Sequence, residues 1–161
     1  MKEELQRLAI AEACGWKWMR RMNEEGEPTN WNQHSVWLFT PGHLEGVDCC
    51  TVPVGRFERC AKPEHHNGFA YGSPDYLHDV NAMIEAEKVL ENHPTDKPWS
   101  SAALDCAESR FVHHLLRIVG AKLIQHKGLT TYGRLEELKL VRATARQRAE
   151  AFLKALNLWS D

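Results

Sequence analysis

The run Ser35-Val36-Trp37-Leu38-Phe39 carries large apolar side chains at consecutive positions. In an extended chain successive side chains point to opposite faces, so this run is apolar on both. Such a strand suits a sheet that is covered on its two sides. Thr40-Pro41-Gly42 ends it. Upstream, Trp16-Lys17-Trp18-Met19-Arg20-Arg21-Met22 reads as a second strand, in which Trp16, Trp18 and Arg20 share a face. Val47–Val54 is expected as a third. Between them Asn23–Gln33 is a polar loop with Gly26 and Pro28.

The remainder is mostly helical. Lys2–Cys14 reads as a helix closed by Gly15, with Leu5, Leu8 and Ala9 as its stripe and Glu12 on the same arc. Ser73, Pro74 and Asp75 suit the cap and first turn of a helix running to about Asn92, before His93-Pro94. Its apolar arc is Val80, Met83, Ile84, Ala86 and Leu90, with Glu87 near the middle. Ser100 is expected to cap a long helix that ends at His126-Lys127-Gly128. Leu135 and Leu138 lead towards a last helix carrying Ala145, Ala149, Phe152, Leu153 and Leu156. Thr144 with Gln147 is a capping-box pattern and argues for a fresh start at Ala145. The stretch from His43 to Gly72 is punctuated by Pro53, Gly55, Pro63 and Gly68, and reads as a loop-rich insertion with short edge strands. The class expected is α+β: a short sheet flanked by helices, with the long helices in the C-terminal half.

A chain of 161 residues fits one domain, taken as residues 1–161 with the insertion at 43–72 and the extra long helix at 100–127. Twenty basic against 22 acidic residues leave a net charge of −2, so no global positive field recruits nucleic acid or an anionic membrane. The first residues, Met-Lys-Glu-Glu-Leu-Gln-Arg, hold no apolar signal region, and no apolar run is long enough to span a bilayer. A cytoplasmic protein is expected. The five cysteines, Cys14, Cys49, Cys50, Cys60 and Cys106, are then read as free thiols.

Three blocks carry a family resemblance. They are Ile10–Trp16, Pro74–Glu87, and Ala143–Leu153 continuing to Leu158-Trp159. In this order they resemble the small phage and prophage proteins with a phage ABA sandwich domain. The resemblance implies an α-β-α sandwich made in a bacterial host cell. His43–Gly72 and Ser101–His126 depart from that pattern as expansions. The family fixes no activity; small phage proteins of this size act against host defences, as sponges for nucleotide signals or as protein-binding inhibitors.

Four constellations bear on chemistry. Trp16, Lys17, Trp18, Arg20 and Arg21 interleave aromatic faces with cations, a composition that suits stacking on a base and pairing with phosphate. The same tryptophans are equally at home as core residues of a covered strand. Arg142, Thr144, Arg146 and Gln147 surround a helix N-terminus, where backbone N–H groups and guanidiniums grip anions or simply cap the helix. Glu12 and Glu87 lie on apolar arcs, either as acid–base carboxylates or as structural bridges to Arg148 or Arg142. Cys49, Cys50, Cys60, His65 and His66 offer soft metal ligands but lack a paired Cys-x-x-Cys knuckle, so whether they bind metal stays open. No Walker A run, nucleophile elbow, H-E-x-x-H or dinucleotide fingerprint occurs.

These readings converge on a phage-encoded, non-catalytic binding protein that sequesters a small nucleotide-like signal and so counters host defence. The expected ligand-binding residues are Trp16, Trp18 and Trp37 for stacking, Arg142, Thr144 and Arg146 for anion contacts, and Asp79 and Asn81 for ribose or base edges. No cofactor, catalytic residue or metal ligand is assigned. Two alternatives stand beside it. One is a protein-binding inhibitor acting through the 43–72 insertion or the long helix; the other is a metal-dependent hydrolase or nuclease built on Glu87, Asp79 and a histidine. A homodimer is compatible with each.

Overall fold

A computed structural model describes residues 1–25, 27, 36–41, 48–49, 55–63, 68–69, 74–92, 106–126, 129–132 and 134–160. Where length predicts one domain, the chain divides into two compact units: Met1–Ile10 with Pro74–Asp161, and Ala11–Ser73. The α+β class holds.

The unit formed by Ala11–Ser73 contains the sheet. Helix α1, Glu3–Ala13, enters it at its C-terminal end. Gly15 at φ +82° lets Trp16 N–H reach back to the Ala11 carbonyl at 3.0 Å, the left-handed closure expected of a glycine there. Strands β1 (Lys17–Met22), β2 (Val36–Phe39), β3 (Asp48–Cys49) and β4 (Gly55–Arg59) follow, antiparallel in the order β2-β1-β4-β3. Both expected strands form. Of the third expected strand, Val47–Val54, Asp48–Cys49 pairs with β4, and residues 47 and 50–54 lie outside the described residues. What the sequence does not announce is β4. It is no edge strand, because β1 and β3 flank it. Phe57 is its single large apolar residue, so alternation gives little signal, yet that ring is fully buried with Met19 and Phe39.

The register places Met19 opposite both Trp37 and Arg59, and Arg21 opposite Phe57. One face therefore carries Lys17, Met19 and Arg21 of β1, Trp37 and Phe39 of β2, and Phe57 and Arg59 of β4. The other carries Trp18, Arg20, Val36, Leu38 and Glu58. Trp18, Val36 and Leu38 are buried, as a strand covered on both sides requires. The outer edge of β2 is met by Gly68 and Phe69: Leu38 N–H donates to the Gly68 carbonyl at 2.8 Å.

The other unit is helical, with one hairpin. The Pro74 region differs from expectation. Pro74 and Asp75 precede a turn, and the cap of helix α2 (Val80–Glu87) is Asp79, whose carboxylate accepts from Asn81 N–H at 2.8 Å. Asp75 instead closes the turn, its carbonyl accepting from His78 and Asp79 N–H. After Glu87 the chain tightens into a 3-10 turn over Lys88–Asn92.

Helix α3 spans Ala107–Ile118 and so ends earlier than the helix expected over 100–127; the expected Ser100 cap and residues 101–105 lie outside the described residues. Its cap is Cys106, and Gly120 at φ +67° stops it, with Ala121 N–H bonded to the Leu116 carbonyl at 2.9 Å. Beyond it Leu123–His126 (β5) and Leu129–Tyr132 (β6) pair as an antiparallel hairpin. Leu123, taken for the continuation of a helical stripe, thus belongs to a strand. A glycine in the left-handed region overrides periodicity.

Helices α4 (Arg134–Val141) and α5 (Ala145–Ala155) are separate, as the capping box predicts. Gln147 N–H donates to Thr144 Oγ1 at 3.2 Å, and Thr144 N–H donates to Gln147 Oε1 at 2.9 Å. Helix α3 packs most extensively on α5, and α2 also packs on α5. Ala145, Ala149, Ala151 and Ala155 keep α5 slim where its neighbours close in, while Phe152 and Leu153 fill the core with Met83, Phe111 and Leu115.

Candidate functional site

The expected ligand-binding residues fall into two sets, one in each unit. Trp16, Trp18 and Trp37 belong to the sheet unit. Asp79, Asn81, Arg142, Thr144 and Arg146 belong to the helical unit.

Within the sheet unit the three indoles have different environments. Trp18 is buried, and its Nε1–H donates to Glu12 Oε1. Lys62 completes this cluster, donating to Glu12 Oε2 at 2.8 Å with its ammonium 5.9 Å from the Trp18 ring centre. The network ties the end of α1 to β1 and to the segment after β4. It answers why a carboxylate sits on the apolar arc of α1: Glu12 accepts one neutral and one charged donor. Trp18 is thereby a core residue.

Trp16 and Trp37 are only partly buried. Trp16 meets Phe69 edge to face at 5.3 Å, and Trp37 meets Phe57 edge to face at 5.6 Å. Trp37 and Arg59 flank Met19 on one sheet face, two strand spacings or about 10 Å apart. Exposed Arg21 lies one row along on that face. Arg21 and Arg59 thus border the buried Met19–Phe39–Phe57 cluster on which Trp37 packs. On the opposite face Arg20 stands across from Glu58, and Arg56 lies 3.8 Å from Glu58. That face carries a carboxylate beside its guanidiniums, whereas the first carries Lys17, Arg21 and Arg59 with no acid among its described strand residues. Arg59 escaped the sequence reading because β4 did.

In the helical unit three of the polar residues expected at a ligand, Asp79, Thr144 and Arg146, make structural contacts, and two, Asn81 and Arg142, are exposed. Asp79 caps α2, and Asn81 is exposed in the first turn. Thr144 is occupied by its capping box. Arg146 Nη1 lies 2.9 Å from Glu3 Oε1, an exposed ion pair. Arg142 is exposed at the corner between α4 and α5.

Glu87 follows the bridge reading. Arg148 Nη1 contacts both its oxygens, at 3.0 and 2.9 Å, and Arg148 Nη2 donates to the Leu140 carbonyl at 3.3 Å. Burial raises the Glu87 carboxyl above its ordinary value and the guanidinium pulls it back only in part. Asp75 is held low by its hydrogen bond from His78. Of the residues named for a hydrolase, Asp79 caps α2 and Glu87 is paired with Arg148. Among the described residues no group of three His, Cys, Asp or Glu side chains is placed to hold a metal.

Of the possible soft ligands, the Cys50, His65 and His66 positions and the Cys49 side chain lie outside the described residues. Cys60 is part-buried, and desolvation raises its thiol although nearby Arg20 lowers it. Cys14, more deeply placed, is pushed up to about 11 by burial. Cys106 is exposed, and its hydrogen bond with Ser109 lowers its thiol.

Among the described residues no helix is long and apolar enough to cross a membrane. No protein-family model, curated protein or solved structure matches the chain.

Proposed function

We propose that this chain is a non-catalytic binding protein whose ligand is a small nucleotide-like anion, taken up on the cationic face of the sheet. The observation that carries this reading is the placement of half-buried Trp37 and exposed Arg21 and Arg59 around one buried cluster. A base stacks on an indole face, and phosphate pairs with guanidinium in a bidentate fork. The spacing of about 10 Å between Trp37 and Arg59 suits one nucleotide unit. Trp16, against Phe69 beside the β2 edge, supplies a second partly exposed ring. Binding without turnover is supported by the ion pairs that engage Glu12 and Glu87.

The biological setting rests on the resemblance of the three sequence blocks to phage ABA sandwich proteins. In that setting the chain is phage-encoded, acts in the cytoplasm of a bacterial host, and removes a nucleotide signal of host defence.

Titration calorimetry against cyclic nucleotides and ADP-ribose-type compounds tests the reading. Expected is micromolar or tighter binding that Arg59→Glu and Arg21→Glu each weaken by at least tenfold, about 1.4 kcal/mol. Flat titrations at about 100 µM would remove it. A co-purifying host protein with no bound small molecule would transfer support to the inhibitor alternative.

A further inference from the structure

On the nucleotide reading above, we infer that the ligand carries two separate phosphate groups and that Lys17 holds the second. Alternate residues of β1 share a face, so Lys17, Met19 and Arg21 stand in one row. Lys17 and Arg21 end that row, about 13 Å apart along an extended strand. Register sets Arg59 of β4 directly across from Met19, midway between them. A phosphate gripped by Arg21 and Arg59 therefore occupies one end of the row and leaves Lys17 at the other. Trp37 of β2 stands opposite Met19 on the remaining side. A base stacked on its indole has one cation of β1 to either side.

The fold itself does not neutralise these charges. Among the described residues Lys17 and Arg59 make no ion pair, whereas Lys62, Lys88, Lys154, Arg146 and Arg148 each do. No acid occurs among the described strand residues of this face. Yet Lys17 is only partly exposed, with Phe39 as its cross-strand neighbour. Partial withdrawal of an ammonium from water carries a desolvation cost that an opposing charge offsets. An anion from outside the chain supplies that charge. Two phosphates on opposite sides of a ribose suit a row of this length, whereas the adjacent groups of a pyrophosphate sit together at one end.

Titration calorimetry on the full chain tests this with adenosine 5′-monophosphate, adenosine diphosphate and adenosine 3′,5′-bisphosphate. Expected is bisphosphate binding about tenfold tighter than that of either other probe. Lys17→Gln reduces this advantage to within about twofold and leaves monophosphate binding within about twofold of the parent value. Lys17→Arg keeps the cation and so keeps the advantage. Unchanged far-ultraviolet circular dichroism confirms that each variant folds. Equal binding of the three probes by the parent chain would overturn the second phosphate site while the nucleotide reading stands. So would a diphosphate as tight as the bisphosphate, or an advantage that survives Lys17→Gln. Binding of none of the three would remove both.

Discussion

Arg148 places one nitrogen against both carboxylate oxygens of Glu87, at 3.0 and 2.9 Å, with each side chain less than one-fifth exposed. This pair joins α5 to α2, and the second guanidinium nitrogen adds the end of α4. Desolvation dominates at Glu87 and leaves its carboxyl raised. The folded state therefore holds that proton more tightly than the unfolded chain does, so this group's contribution is fully present at low pH and is lost as pH rises through the folded value.

Replacing Arg148 by Met strands a buried carboxylate. The expected cost at pH 8 is about 3–5 kcal/mol, shrinking towards pH 4 as Glu87 takes up a proton. Glu87→Gln in the same background abolishes that pH dependence. Urea unfolding at the two pH values measures both; equal losses at pH 4 and pH 8 would contradict the buried pair.

His114 gives the opposite limb. Burial lowers its imidazole, and the charges of His113, Lys154, Arg117 and Arg110 lower it further. The folded state binds this proton less well than the unfolded chain, so stability falls as pH drops through the ordinary histidine value of 6.5. His114→Gln is expected to reduce the difference in thermal midpoint between pH 7.5 and pH 5.5. An unchanged difference would show that the imidazole is freely solvated.

Thr144→Ala removes the cap of α5 and is expected to cost about 1 kcal/mol without altering nucleotide binding. Denaturant titration measures the first part and calorimetry the second. Loss of binding with stability intact would return Thr144 to the role of an anion ligand.

Gly120→Ala forces an L side chain into the left-handed conformation that ends α3. Nothing lies within 4 Å of the added Cβ, so the cost is backbone strain alone, about 1 kcal/mol. A neutral substitution in a thermal melt would mean that the helix end relaxes.

Local chemistry made some of this fold legible and left other parts hidden. Gly15 and the Thr144–Gln147 box marked helix boundaries that the structure places where they were expected, because each signal is a hydrogen-bonding requirement of a few adjacent residues. The run Val36–Phe39 disclosed a covered strand through bulk alone. The end of α3 was missed because Leu123 continued the helical spacing across Gly120. Strand β4 was missed because Arg56, Glu58 and Arg59 surround a lone Phe57. The candidate site followed suit. Its indoles were visible in the sequence, but which of them is buried depends on Glu12 and Lys62, fifty residues apart. Arg59 joined it only through pairing across β1.

Native mass spectrometry of the chain purified from a bacterial host, followed by titration of the released small molecule, bears most directly on the central claim. Expected is a phosphorylated ligand of nucleotide mass that rebinds to the parent chain and to Thr144→Ala but fails to rebind to Arg21→Glu combined with Arg59→Glu. A chain that carries nothing, and takes up no nucleotide when titrated, would contradict a ligand site on the β1–β4 face.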